Sequence, residues 1–181
     1  EISTYFEGVR SIYAPFEATM RAGTSDVYNH EMPGGQYTNL REQARSMGLE
    51  SRWKEVSESY AVVNQLLGDI VKVTPSSKVV GDMALMMVTQ DITAEDVLDP
   101  NREIAFPQSV VGLSKGELGI PEGGFPEDIS KKVLKDEKPI EGRPGAHLPP
   151  VDLAATKAEL EAFLGYAISD ADLASYLMYP D

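Results

Sequence analysis

The amino-acid sequence predicts a mainly α-helical fold in which short helices are joined by irregular loops. Apolar side chains recur at helical spacing in most segments, for example at Val79, Val80 and Met83. Serine, threonine or aspartate precedes several of these segments, where its side chain can accept hydrogen bonds from the first free amides of a helix. Strand signals are weak: the β-branched run at residues 70–73 predicts at most a minor strand.

The composition limits the classes of protein to which the chain can belong. Its 181 residues, 42% of them hydrophobic, suffice for one domain with a core or for two small ones. The net charge of −13 argues against non-specific binding to nucleic acid, whose phosphates attract Lys and Arg. No apolar run approaches the ~20 residues that cross a bilayer, so no membrane partner is expected. The absence of cysteine excludes disulfides and thiolate metal sites.

The N-terminal part of the chain is predicted to hold two helices separated by an irregular stretch. Residues 2–16 place aromatic side chains on one helical face, which we expect to be core or an inter-domain contact. Residues 23–37 are expected to be irregular, with a Pro-Gly-Gly turn at residues 33–35. Thr38 or Asn39 is the predicted N-cap of the second helix.

Two longer helices are predicted in the middle of the chain. The first covers residues 51–67 and turns Val56, Tyr60 and Val63 inward. In the second, Thr74 has the character of an N-cap and Pro75 that of a first helical residue. This helix is expected to run to about residue 90, with its methionines in the core.

The C-terminal half is predicted to consist of shorter helices with caps of their own. Thr93 and Asp96 have the spacing of a capping box, and residues 107–113 and 126–134 are predicted as short helices. Residues 138–150 hold four prolines and two glycines, which indicates a connector. Beyond it, two helices are expected. Asp152 caps the first, whose residues Leu160, Phe163 and Leu164 should face inward, and Ser169 caps the second, which should end at Pro180. We therefore divide the chain into residues 1–137, the connector 138–150, and residues 151–181.

The start of the helix after Thr74 is the best candidate for a functional site. The free amides of this helix start could bind an anion or a developing oxyanion, and four polar residues lie where that site would be: Thr74, Ser76, Ser77 and Lys78. The alternative is that the hydroxyls only cap the helix and the lysines are solvated surface charges. Neither histidine belongs to a metal-binding pattern, so no metal site is expected in this chain.

Two motifs resemble the pyruvate carboxylase family. They are VKVTPSSKVVGDMA at residues 71–84 and HEMPGGQYTNL at residues 30–40, and shorter likenesses extend from Tyr5 to Pro180 in family order. In that family the segment follows a metal-binding TIM barrel. The resemblance therefore implies a mainly α post-barrel segment that forms a helical funnel around the barrel mouth of the carboxyltransferase domain.

The resemblance also implies roles for particular residues. Thr74 corresponds to a threonine that relays a proton between the carboxybiotin ring nitrogen and the methyl group of pyruvate, a role that a neutral hydroxyl can fill. Ser77 and Lys78 would line the biotin pocket, and Gln36 would contribute to substrate or biotin binding. The residues Gln36 and Lys78 favour pyruvate carboxylase over related transcarboxylases and oxaloacetate decarboxylase subunits.

The whole enzyme implied by the resemblance is a multifunctional, biotin-dependent ligase of gluconeogenesis and anaplerosis. It forms oxaloacetate from pyruvate and bicarbonate with ATP. A divalent metal would lie in the upstream TIM barrel and biotin on a separate carrier domain. We expect a homotetramer, cytoplasmic in bacteria or in the mitochondrial matrix of eukaryotes, and expect this chain alone to be an inactive piece of it. The alternatives are a related transcarboxylase or decarboxylase subunit, or a non-catalytic helical module for assembly or regulation.

Overall fold

The structure is a computed structural model that describes residues 1–17 and 24–179. All regular elements within these residues are helical, which confirms the mainly α prediction. The α-helices are α1 (Ile2–Tyr13), α2 (Val27–His30), α3 (Gly34–Ser46), α4 (Trp53–Leu66), α5 (Ser76–Thr89), α6 (Ala94–Leu98), α7 (Gln108–Lys115), α8 (Glu127–Leu134), α9 (Leu153–Leu164) and α10 (Asp170–Met178). Short 3-10 helices occupy Ala14–Phe16, Glu50–Arg52 and Pro144–His147.

The chain divides into two compact units, Glu1–Pro144 and Gly145–Asp181. The division falls within the predicted connector 138–150, which includes the 3-10 helix Pro144–His147 instead of being wholly irregular. The three-part domain division itself stays a prediction.

The core of the first unit is built around α5. This helix packs most extensively against α4 and also contacts α3 and α7. Its methionines Met83, Met86 and Met87 are buried, as predicted, and so are Val56, Tyr60 and Val63 of α4. Burial of these apolar side chains is the main favourable contribution to folding of this unit.

Three helix starts follow the local signals in the sequence. Thr93 and Asp96 form the predicted capping box at α6, and Ser169 forms a second one at α10. Asp152 accepts a hydrogen bond from the Ala155 amide at the start of α9. These interactions join residues three apart, so sequence alone suffices to predict them.

The predicted start of α3 was wrong. The helix begins at Gly34, directly after Pro33, because the Pro33 carbonyl accepts the Tyr37 amide at 2.9 Å. Thr38 lies inside the helix, where its hydroxyl donates to the Gly35 carbonyl at 3.0 Å. The predicted Pro-Gly-Gly turn at residues 33–35 is therefore the first turn of α3.

The aromatic face of residues 2–16 was expected to be core or an inter-domain contact. None of α1 is buried, so this face is not core, and the inter-domain contact stays a prediction. A prediction of inward-facing side chains in α9 was wrong. Phe163 and Leu164 of α9 are exposed within the second unit, and Leu160 is only partly buried. Helix α10 ends at Met178. Gly23, where the irregular stretch was predicted to begin, and Pro180, where the last helix was predicted to end, lie outside the described residues. No helix in the part of the chain that the structure describes is long and apolar enough to span a membrane.

Candidate functional site

The segment before α5 is irregular, and residues 70–73, for which at most a minor strand was predicted, form none. Ile70 is buried, whereas Val71 and Val73 are exposed. The segment obtains its hydrogen bonds from the hydroxyl of Ser76 instead of from a neighbouring strand. Ser76 Oγ accepts the Val73 amide at 3.2 Å and lies 2.6 Å from the Val71 carbonyl, to which it can donate.

Thr74 is not the N-cap of α5, contrary to prediction. The helix begins at Ser76, Pro75 occupies the N-cap position, and the Thr74–Pro75 peptide bond is cis. Thr74 is exposed, and its hydroxyl makes no hydrogen bond within the described residues. The Ser76 hydroxyl does the local bonding that sequence analysis expected of Thr74. Thr74 Oγ1 is therefore available to a group from outside the segment.

The early amides of α5 do not form the predicted anion site. The Ser77 amide donates to the Val73 carbonyl at 3.0 Å, and the Lys78 amide donates to the Pro75 carbonyl at 3.0 Å. The Val79 amide also points at the Pro75 carbonyl, at 3.4 Å. Because the chain folds back on itself before α5, its own carbonyls take up these donors, and an anion would have to compete with them.

Ser77 lies on the inner side of α5. It is buried, and its carbonyl accepts a hydrogen bond from the Tyr60 hydroxyl at 3.3 Å. Burial raises the pKa of Tyr60 to about 12, which keeps the phenol protonated as the donor. Ser77 therefore does not present its side chain on the same surface as Thr74, and its contact with biotin stays a prediction.

Lys78 lies on the outer side of α5, one turn beyond Thr74, and belongs to a small polar network. Its ammonium is 2.6 Å from Asp82 Oδ2, and the Ser109 hydroxyl donates to the same oxygen at 2.7 Å. Asp82 is more buried than Lys78, so the carboxylate holds the flexible end of the lysine near the helix. Neither contact was predicted from the sequence. The four-residue spacing of Lys78 and Asp82 was a usable signal for the first.

Gln36 lies against α5 at Gly81, three residues beyond Lys78. A Cβ atom placed on Gly81 would lie 2.5 Å from Gln36 Nε2 and 2.9 Å from a methyl group of Leu40. A side chain at Gly81 would displace the ends of the Gln36 and Leu40 side chains, so the glycine leaves room for them against α5. The fold thus places Gln36 beside α5, the helix that carries Lys78, although the two residues are 42 positions apart in sequence.

An ion pair joins the two motifs. Lys72 Nζ lies 2.9 Å from Glu31 Oε2, and the Lys72 side chain is only 15% exposed. The hydrogen bond from Lys72 lowers the pKa of Glu31 and so keeps the carboxylate ionised. Lys72 thus connects the Thr74 segment to the start of α3.

The described residues provide no cluster for a metal ion. No group of three or more His, Asp or Glu side chains lies close enough together within residues 1–17 and 24–179. His30 instead stabilises the loop before α3, since its Nδ1 accepts the Met32 amide at 2.9 Å.

The sequence of this chain matches the conserved carboxylase domain over residues 27–181. The chain belongs to this family. It is 51% identical to mitochondrial pyruvate carboxylase of Homo sapiens over 183 aligned residues, which cover the whole chain, and 51% identical to pyruvate carboxylase of Bacillus subtilis over 99% of it. The chain spans only 16% of the length of either relative.

Solved structures agree with the sequence comparison. The carboxyl transferase domain of Rhizobium etli pyruvate carboxylase matches 99% of this chain with a TM-score of 0.94 and 59% sequence identity. The match covers 30% of the length of that domain structure. The same domain solved with pyruvate and biocytin also has a TM-score of 0.94, at 58% identity. The helical fold is therefore that of the corresponding part of a carboxyltransferase domain, as the sequence resemblance implied.

Proposed function

We propose that this chain is the post-barrel helical part of the carboxyltransferase domain of a biotin-dependent pyruvate carboxylase. Its role would be in the transfer of a carboxyl group from carboxybiotin to pyruvate, which gives oxaloacetate. The observation that carries the proposal is the free hydroxyl of Thr74. It lies in one family motif, which the Lys72–Glu31 ion pair joins to the other, and it makes no hydrogen bond within the described residues.

Thr74 Oγ1 would act as a proton relay. Carboxybiotin supplies the carboxyl group when the carrier domain delivers it. Thr74 donates the proton of its O–H bond to the biotin ring nitrogen, and the same oxygen accepts a proton from the methyl group of pyruvate. The hydroxyl ends the exchange neutral, so no isolated charge forms on the protein. A hydroxyl already bonded to its own helix would first have to break that bond, and Thr74 has none to break.

Lys78 and Gln36 would hold the biotin ring and the substrate beside Thr74. The ammonium of Lys78 would stabilise negative charge on the ureido oxygen of biotin as the carboxyl group leaves. Asp82 and Ser109 limit the positions that this ammonium can take. Gln36 belongs to α3, and its side-chain amide lies against α5, the helix that carries Lys78. Ser77 would contribute through the helix start that it anchors from the inside.

The rest of the reaction would belong to other parts of the enzyme. The upstream barrel would hold the divalent metal, a carboxylase domain would use ATP and bicarbonate, and biotin would arrive on its carrier domain. A homotetramer is proposed for the assembled enzyme. Its compartment would be the cytoplasm of a bacterium or the mitochondrial matrix of a eukaryote.

The test is the substitution Thr74→Ala in the complete enzyme. If Thr74 relays the proton, the rate of oxaloacetate formation should fall by a factor on the order of 10² or more, while biotin-dependent ATP cleavage continues. Thr74→Ser keeps the hydroxyl and should retain much of the turnover. Because Thr74 does not cap α5, neither variant should lose the stability expected for loss of a cap.

Thr93→Ala is the matched control, since it removes a threonine that does cap a helix. It should cost about 1 kcal/mol of stability and leave turnover by the folded enzyme unchanged. A folded Thr74→Ala enzyme with near-normal oxaloacetate formation would contradict the proposed function.

A further inference from the structure

A cavity of about 250 Å³ lies among α2, α3 and α4, and none of the residues assigned to carboxyl transfer lines it. We name it the Trp53 cavity. Its walls include the rings of His30, Tyr37 and Trp53, and its rim includes Asp26, Lys54 and Glu58. Its volume is about eight times the ~30 Å³ that one water molecule occupies in the liquid. The cavity therefore has room for a small organic molecule.

Tyr37 lines this cavity, and its hydroxyl has an unused proton. Tyr37 is 8% exposed, and its oxygen accepts a hydrogen bond from Trp53 Nε1 at 3.2 Å. The Tyr37 O–H has no acceptor among the described residues. Since a phenol both accepts and donates, its donor side is open to a ligand.

His30 contributes a second unused donor. It is 4% exposed, and its Nδ1 accepts the Met32 amide, so in the neutral ring the proton is on Nε2. Burial lowers the pKa of His30, which favours this neutral form. The Nε2–H has no partner among the described residues, and its nitrogen is not completely enclosed by protein atoms. Because His30 lines the cavity, we assign this donor to the cavity wall.

The charges on the rim favour an uncharged ligand. Lys54 lies 3.6 Å from Glu58, so these two charges offset each other. Asp26 pairs with no cation within the described residues and acts on His30 through its charge. The remaining negative charge would repel a carboxylate more than a neutral carbonyl group.

We infer that the Trp53 cavity binds a small, uncharged carbonyl compound with a flat apolar body, of the amide class. Its carbonyl oxygen accepts hydrogen bonds from His30 Nε2 and the Tyr37 hydroxyl, and its body contacts the aromatic walls. In both His30 and Tyr37 the acceptor atom is already used and the donor is not. One carbonyl oxygen has two lone pairs, so it can accept a hydrogen bond from each. Flat apolar surface suits the faces and edges of the surrounding rings.

The test uses benzamide and benzoate, which have the same shape and differ in charge. The chain contains a single tryptophan, so its fluorescence reports directly on the cavity. Benzamide should change the Trp53 emission of the 181-residue chain in a saturable manner. Benzoate should bind about fivefold more weakly because of Asp26. Asp26→Asn should remove most of this difference by strengthening benzoate binding and leaving benzamide binding unchanged.

Tyr37→Phe tests the donor, and Tyr28→Phe is its matched control. The first variant keeps the ring and should weaken benzamide binding about fivefold, which corresponds to one lost hydrogen bond. Tyr28 is 84% exposed and does not line the cavity, so the control should bind as the unchanged chain does. Far-UV circular dichroism verifies that each variant is folded.

Three results would overturn the inference. The first is the absence of saturable fluorescence change with benzamide. The second is equal affinity of the unchanged chain for benzamide and benzoate. This measurement uses no variant, so it does not depend on whether a variant folds. The third is a crystal structure, grown with benzamide, in which the cavity holds water only.

Discussion

Helices α1 and α5 differ in burial although both carry apolar side chains at helical spacing. Ten residues of α5 are buried, whereas none of α1 is. The difference comes from their neighbours: α5 packs against α3, α4 and α7, while the aromatic face of α1 remains uncovered by the described residues. Apolar spacing therefore predicts that a helix forms and which face is apolar, but not what covers that face.

Among the substitutions that test this comparison, Met83→Ala in α5 is expected to cause the largest loss of unfolding free energy. Met83 is fully buried, so the variant leaves a cavity and should lose about 3 kcal/mol of unfolding free energy. Urea denaturation of the 181-residue chain measures the loss. Met47→Ala, at a position that is half exposed, is the control and should change stability by less than about 0.5 kcal/mol.

A smaller effect is expected for His30, a buried titratable group. Burial lowers the pKa of His30 in the folded chain, so the unfolded chain binds the proton at higher pH. Stability from His30 is therefore present above the unfolded pKa of ~6.5 and is lost as the pH falls below it. Protonation also removes the Nδ1 lone pair that accepts the Met32 amide.

Urea denaturation between about pH 7.5 and pH 5.5 measures this dependence. His30→Gln should flatten the decline in unfolding free energy. An equal decline in the His30→Gln variant would show that burial of His30 is not its cause.

The smallest effect is expected for Phe6→Ala in α1. Phe6 is exposed, so its loss should change the stability of this chain by less than about 0.5 kcal/mol. The measurement is the same urea denaturation. A cost close to that of Met83→Ala would mean that α1 is as well packed as α5 and would break the comparison.

The parts of the fold that sequence predicted correctly depend on local interactions. The capping boxes at Thr93 and Ser169 join neighbouring residues, and the apolar face of α4 follows from its spacing. Thr74 was assigned wrongly as a cap because threonine before proline is a good local signal. In the fold, Pro75 takes the cap position and Ser76 bonds the preceding backbone.

The parts of the site that sequence missed depend on contacts between distant segments. Ser109 reaches Asp82 across 27 residues, and nothing in the local sequence of either predicts the other. The approach of Gln36 to Gly81 likewise needs α3 to lie on α5. The two family motifs indicated that these segments matter, but their ion pair, Lys72 to Glu31, required the structure.

The bonding of Ser76 has a consequence for local opening of the chain. The segment that carries Thr74 is tied to α5 by the Ser76 hydroxyl and by the Ser77 amide, which donates to the Val73 carbonyl, whereas α5 itself is held by a buried core. Breaking these few hydrogen bonds takes far less free energy than unfolding the whole unit. The backbone around Thr74 can therefore rearrange while α5 stays intact, so a flexible threonine stands on a rigid support.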